Sequence, residues 1–228
     1  MSLYSSRLLA TFLDEYDADI QAVRRLIKRA RPRSIADFGG GFGRLALRVG
    51  SPHIAWLIID KSRNFLNVGM SAMSSKLGRI RFRRIDLSNP VDQRIGKFDL
   101  GLIMYNTLNE IEHLDSLIYS LSHLIKKNGI VAIKIIVHHD KYKKRSIAFS
   151  SSNGRFLKDE VSFIFTSTIL GSHRQRAHLK CLHKGNHFSI GWQRWIHDPK
   201  HIDKLFQMAG FRLKHTCGKN EMRMYQKL

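Results

Sequence analysis

Apolar residues along the chain recur in two alternating rhythms, one helical and one extended. Leu8, Leu9, Phe12, Ile20, Val23 and Ile27 repeat at helical spacing, which predicts helix over 5–31 with a break near Asp17. Pro32 ends that register. The run SIADF at 34–38 predicts a short strand, a glycine cluster follows, and Arg44 to Gly50 reads as helix. Strand 54–60, helix 62–76 and strands 80–86 and 98–105 continue the alternation, followed by helix 113–127 and a β-branched strand at 129–137. Strands alternating with helices predict an α/β fold, with a mostly parallel sheet between two layers of helices.

The region 138–190 breaks this rhythm. It is polar, basic and rich in histidine, with strand-like pieces such as VSFIFTSTI. It reads as an insertion after the fifth strand of a single domain spanning 1–228. Alternation returns with a helix at 199–209. The segments 211–216 and 221–228 then predict an antiparallel hairpin.

The charge changes this picture of an ordinary globular domain. Thirty-nine basic side chains stand against 18 acidic ones, a formal net charge of +21. Such a field attracts anions, and RNA is the large anion to weigh. The basic residues are spread along the chain, which fits a solvated surface equally well. No apolar run reaches the roughly 20 residues that a membrane span needs. The N-terminus, one basic residue followed by acids, is unlike a secretory signal. The expectation is a cytoplasmic protein with no membrane partner. Two cysteines are too few for a disulfide framework. His173, His178, His183 and His187 with Cys181 fit no standard zinc-ligand spacing, so no metal is expected.

The chemistry concentrates in Asp37-Phe-Gly39-Gly40-Gly41-Phe-Gly43, set between a strand and a helix, where a nucleotide-binding turn belongs. Glycines there let the backbone approach a ligand with no Cβ in the way. Asp60, with Lys61 beside it, ends the next strand 17 residues beyond Gly43. A carboxylate there can accept both hydrogen bonds of a ribose diol, or it can cap the helix that follows. Asp86, beside Leu87, ends the third strand, where it can accept from an adenine amino group. An NAD site spaces its glycines as Gly-x-Gly-x-x-Gly. Gly39, Gly41 and Gly43 follow Gly-x-Gly-x-Gly instead.

An acid before Gly-x-Gly-x-Gly, with further acids at the next two strand ends, resembles motif I of the class I S-adenosylmethionine-dependent methyltransferases. The resemblance covers about 34–137 and the final helix–strand unit. It implies a three-layer α/β sandwich with a seven-stranded, mostly parallel Rossmann-like sheet and S-adenosyl-L-methionine as cofactor. Asp37, Gly39, Gly41 and Gly43 would border its methionine part, Asp60 and Lys61 its ribose, and Asp86 and Leu87 its adenine. Asn106, at the end of the fourth strand, would complete the cofactor side.

Three acceptor classes fit poorly. The segment 104–110, MYNTLNE, lacks the Asp/Asn-Pro-Pro-aromatic motif that marks methylation of exocyclic base nitrogens. Cys181 and Cys217 lie too far along the chain for a 5-methylcytosine nucleophile. Lys134 and Glu221 imitate only two members of a Lys-Asp-Lys-Glu tetrad. What remains resembles the small-molecule methyltransferases, closest in layout to sugar-amine N-methyltransferases of antibiotic pathways. That resemblance implies a cofactor cover at 1–31 carrying Tyr16-Asp17, and a substrate lid at 138–190. Tyr16 and His139 are the candidate catalytic side chains, His139 because imidazole titrates near neutral pH. The expected acceptor is a small molecule methylated on N or O, with RNA as the alternative. Trp192 and Trp195 are candidates to stack on an aromatic acceptor.

Overall fold

The computed structural model describes residues 2–14, 18–73, 79–105, 107–135, 144–151, 160–170, 174–217 and 222–228. The N-terminal helical pattern divides into α1 (Leu3–Asp14) and α2 (Ala18–Ala30). Five strands alternate with helices after it: β1 (Ser34–Phe38), α3 (Arg44–Val49), β2 (Ala55–Asp60), α4 (Arg63–Met73), β3 (Ile80–Arg84), β4 (Phe98–Ile103), α5 (Asp115–Leu124) and β5 (Ile125–Lys134). Four strands of a second sheet follow: β6 (Lys144–Ser151), β7 (Val161–Leu170), β8 (Arg174–His183) and β9 (Asn186–Trp195). Then come α6 (Pro199–Met208) and the terminal strands β10 (Phe211–Cys217) and β11 (Met222–Lys227).

The main sheet has seven strands in the order β10-β11-β5-β4-β1-β2-β3. Strands β1 to β5 pair in parallel, and β11 runs antiparallel between β10 and β5. Alternate residues on each strand feed opposite helical layers, as a two-residue period requires. Ala36, Phe38, Leu57, Ile59, Val131 and Ile133 pack with Leu117, Leu121 and Phe206 of α5 and α6. Ile35, Trp56, Ile58, Leu100, Leu102 and Ala132 pack with Ile20, Val23 and Leu26 of α2, Leu45 of α3 and Leu66 of α4. This is the predicted three-layer sandwich.

One boundary moves. The pattern predicts helix to 127, but α5 stops at Leu124 because Ile125 is already extended (φ −97°, ψ 131°). Ile125 pairs with Phe98, and the next pair is Ile130 with Leu100, so the intervening residues bulge out of the sheet. Asn128, with φ 63°, turns the chain there. Apolar spacing continues smoothly through Leu124-Ile125, so periodicity alone carries the helix too far.

The second sheet is antiparallel, ordered β6-β7-β8-β9, and reaches Trp195, beyond the 190 boundary of the sequence pattern. Lys184 (φ 51°) and Gly185 (φ 73°) form the two-residue turn between β8 and β9, where both central residues need positive φ. Its inner face, Val161, Phe163, Leu179 and Cys181, packs on Leu8 and Leu9 of α1. Helix α1 is thus held between the second sheet and the main domain, where Ala10 packs with Phe42 and Val68. Among the described residues, no helix is long and apolar enough to cross a membrane.

The terminal hairpin is anchored by Phe206, fully buried, stacked on Tyr225 at 3.9 Å and edge-on to Phe211 at 5.4 Å. Phe206→Ala should lower unfolding stability by ~3–5 kcal/mol, the usual cost of emptying a buried aromatic site. Urea unfolding followed by circular dichroism checks this, and a loss below ~1 kcal/mol would contradict the packing described.

Candidate active site

In open α/β sheets a crevice opens at the carboxyl ends of the strands, where the chain reverses its direction across the sheet. That reversal lies between β1 and β4, because β1 pairs with both β2 and β4. A cavity of about 350 Å³ sits there. Asp37, Gly39, Gly41, Asp60, Lys61, Asp86 and Leu87, the residues expected to border a cofactor, all line it. Gly43 does not.

The glycine loop is fixed by backbone bonds to the end of β2. The Gly39 and Gly40 amides both donate to the Ile59 carbonyl, at 2.7 and 3.0 Å. Gly39, Gly41 and Gly43 have φ of 73°, 58° and 76°, so the alternating glycines are the loop's left-handed positions. Their surroundings differ. A Cβ on Gly41 would meet nothing within 4 Å, consistent with its place on the cavity wall. A Cβ on Gly43 would press on Met73 Cε at 2.5 Å, so this glycine serves packing beneath α4. Gly40, which the spacing passes over, leaves room for Asp37: a Cβ there would lie 2.7 Å from the Asp37 carboxyl.

Asp60 serves two backbone segments at once. Its Oδ1 accepts from the Ser62 amide at 2.8 Å and its Oδ2 from the Gly41 amide at 3.0 Å. The capping and ligand readings of Asp60 are therefore compatible, since a carboxylate has about four acceptor positions. Burial raises its pKa, and the Ser62 and Gly41 amides oppose that rise. Asp86 is exposed and accepts from the Ser88 amide at 3.0 Å, which lowers its pKa.

Asp37 is 2% exposed, and its Oδ2 has no hydrogen-bond partner among the described residues. Burial pushes its pKa up to about 7, with Arg44 opposing and Asp60 adding to the rise. Arg44 is held by Asp19 of α2 at 3.6 Å, and Lys134 of β5 bonds the same carboxylate at 2.6 Å. Lys134, which from sequence imitates one member of an incomplete Lys-Asp-Lys-Glu tetrad, thus ties β5 to α2. Glu221 lies outside the described residues, as do Tyr16, Asn106 and His139. Cys181 lies in the core of the second sheet, and burial pushes its thiol up to about 12, which leaves no thiolate for nucleophilic attack.

The opposite wall comes from the segment after β4, from α1 and from the second sheet, in which the sequence singles out Trp192 but not Tyr105, Thr107, Glu110 or Arg194. Tyr105 lies in the left-handed region (φ 53°), a strained conformation for an aromatic residue, with the Arg44 guanidinium 5.3 Å from its ring. Thr107 Oγ1 donates to the Met104 and Gly39 carbonyls at 3.0 and 3.3 Å, pinning the loop after β4 to the glycine loop. Glu110 lines the cavity, its pKa raised by burial and opposed by Arg194 and Lys61. From the second sheet come Ile190, Gly191, Trp192 and Arg194, and from α1 Leu9 and Leu13. The signal for Arg194 was its i, i+2 relation to Trp192, which places both on one face of a strand.

No protein-family model matches the chain, and no curated protein matches it in sequence. Solved structures do match. An S-adenosylmethionine-dependent methyltransferase from Clostridium acetobutylicum aligns with a TM-score of 0.76 at 16% identity, over 97% of this chain and 99% of that one. DesVI from Streptomyces venezuelae aligns at 0.73 and 14%, over 94% and 92%. CalS10, an amino pentose methyltransferase from Micromonospora echinaspora solved with S-adenosylmethionine bound, aligns at 0.73 and 14%, over 100% and 98%. With the strand order, these likenesses establish the class I S-adenosylmethionine-dependent methyltransferase fold.

The raised Asp37 pKa has a definite consequence for stability. Between its ordinary value of 3.8 and about 7, the folded protein keeps a proton that the unfolded chain has lost. Stability contributed by neutral Asp37 is therefore lost as pH rises through that window. Asp37→Asn, neutral at every pH, should flatten the decline. Urea midpoints between pH 5 and 7.5 test this: parallel curves for wild type and variant would contradict it.

Proposed function

We infer that the protein is an S-adenosylmethionine-dependent methyltransferase acting on a small molecule. The observation that carries this reading is the shape and chemistry of the cradle at β1 and β2. Gly41 leaves open space on the cavity wall, and buried Asp37 offers an unpartnered oxygen. Asp60 is fixed by two amides with acceptor positions to spare.

These residues fit the cofactor. Asp60 would hold the ribose diol, Asp86 with Leu87 would border adenine, and Asp37 with Gly39 and Gly41 would border the methionine part. The cofactor supplies a methyl group activated on a cationic sulfonium. The protein's share is alignment of the acceptor and exclusion of water, which by itself accounts for much of such a rate. Leu9 and Leu13 of α1, with Ile190 and Trp192 of β9, cover the cavity and make the second sheet the substrate lid.

The walls that α1 and β9 add around the cavity favour a small acceptor. RNA has one observation in its favour: Arg81, Arg83 and Arg84 are exposed on the edge strand β3, next to Asp86. Incubation with methyl-labelled S-adenosylmethionine and a cell extract separated into metabolite, RNA and protein fractions tests both. Label in the metabolite fraction is expected. Label in RNA, falling steeply with salt, would move the assignment to RNA.

Asp60→Ala should weaken S-adenosylhomocysteine binding by ~1.5–3 kcal/mol, the value of hydrogen bonds to a charged group. Calorimetry checks it, and unchanged affinity would remove Asp60 from the site.

A further inference from the structure

Two neighbouring side chains on the inner face of β9 line the cavity and carry N–H groups with no hydrogen-bond partner among the described residues. Trp192 Nε1 and Arg194 Nε are both buried, and neither has a hydrogen-bond partner among the described residues. Arg194 is 6% exposed. Its guanidinium lies 5.2 Å from the Trp192 ring. Among the described residues it forms no ion pair within 4 Å; Glu110, which lines the same cavity, acts on it electrostatically without a hydrogen bond. A guanidinium does not escape burial by losing its proton, so a buried one with no anion hydrogen-bonded to it is costly.

The pair is held firmly. The strand continues through Trp195, whose carbonyl accepts from Asn109 Nδ2 at 2.6 Å. Burial lowers the pKa of His197, opposed by its hydrogen bonds, in which Nε2 donates to the Leu108 and Ile111 carbonyls at 3.1 and 2.9 Å. Both latches grip the short 3₁₀ turn Thr107–Glu110, which carries Thr107 and Glu110 into the cavity. The donors of β9 are thereby set in register with the loop after β4, where an acceptor meets the methionine side of the crevice. A planar guanidinium fork beside an indole N–H matches a carboxylate, which accepts two or more hydrogen bonds in one plane.

We propose that Trp192 and Arg194 form an oxyanion subsite and that the methyl acceptor is a small molecule bearing a carboxylate held there. This rests on the methyltransferase reading for the reaction, but the subsite stands on its own donors. The same chemistry has a second source, the carboxylate of the cofactor itself, and the test separates the two.

Acetate, and acetamide as its neutral counterpart, are titrated by NMR into wild type, R194Q and W192F, with and without saturating S-adenosylhomocysteine. Acetate is expected to bind wild type with S-adenosylhomocysteine present, and acetamide is not. R194Q should weaken acetate at least tenfold. W192F, which keeps a ring and loses the N–H, should weaken it severalfold and decides the matter if R194Q does not fold. Absence of acetate binding, or equal binding in wild type and both variants, overturns the subsite. So does an R194Q protein that loses tenfold in S-adenosylhomocysteine affinity but binds 5′-methylthioadenosine, which lacks the amino-acid part, as wild type does. That result gives Arg194 to the cofactor. Failure of wild type to bind S-adenosylhomocysteine removes the methyltransferase reading instead, and the titration without it still decides the subsite.

Discussion

The two bonds of the Asp60 carboxylate hold the site together. One oxygen fixes the Gly41 amide of the loop after β1, and the other fixes the Ser62 amide at the start of α4. The Ile59 carbonyl, one residue earlier, takes the Gly39 and Gly40 amides. Two loops from different strands thus share one anchor, and the left-handed glycine positions are imposed from that side. The arrangement works only if Gly40 has no side chain, because Asp37 fills the space below it. A buried carboxylate, a glycine without room and a glycine facing open space form one mechanical unit.

The second half of the cavity depends on a separate set of contacts. Helix α1 gives Leu8 and Leu9 to the core of the second sheet, and Ala10 to a cluster with Phe42 and Val68. The latches from Asn109 and His197 join the end of β9 to the turn after β4. Both halves therefore bear on Thr107, which also bonds the Gly39 carbonyl. A binding cavity set between a rigid strand-end cradle and a docked second sheet suits a reaction that needs two molecules aligned and little else.

Much of this was legible in the chain. The alternation of strands and helices, the terminal hairpin and the acids at three strand ends all follow from periodicity and from residues with special backbone geometry. Asp37, Asp60 and Asp86 lie where strand ends place them, so a local pattern suffices. Arg194 is different. A two-residue period puts it on the face of Trp192, but its role depends on an antiparallel sheet and on latches that join residues 86 and 89 apart in sequence, which no local period records. Tyr105 and Glu110 sit in a turn with too few residues for a period. The end of α5 is hidden for the opposite reason, because an apolar helix runs directly into an apolar strand. Gly43 shares the spacing of Gly39 and Gly41, and spacing cannot tell a glycine facing a cavity from one facing Met73.

The central claim is that the glycine loop and Asp60 form a cradle for S-adenosylmethionine. Gly41→Asn tests it most directly, because asparagine tolerates the φ of 58° at this position and its side chain enters the open wall of the cavity, where a Cβ meets no protein atom within 4 Å. Calorimetric titration of S-adenosylmethionine should give one site in the wild-type protein and a loss of at least tenfold in the variant, with circular dichroism confirming that the variant is folded. Equal affinity in the two proteins, or no binding to the wild type, would contradict the account.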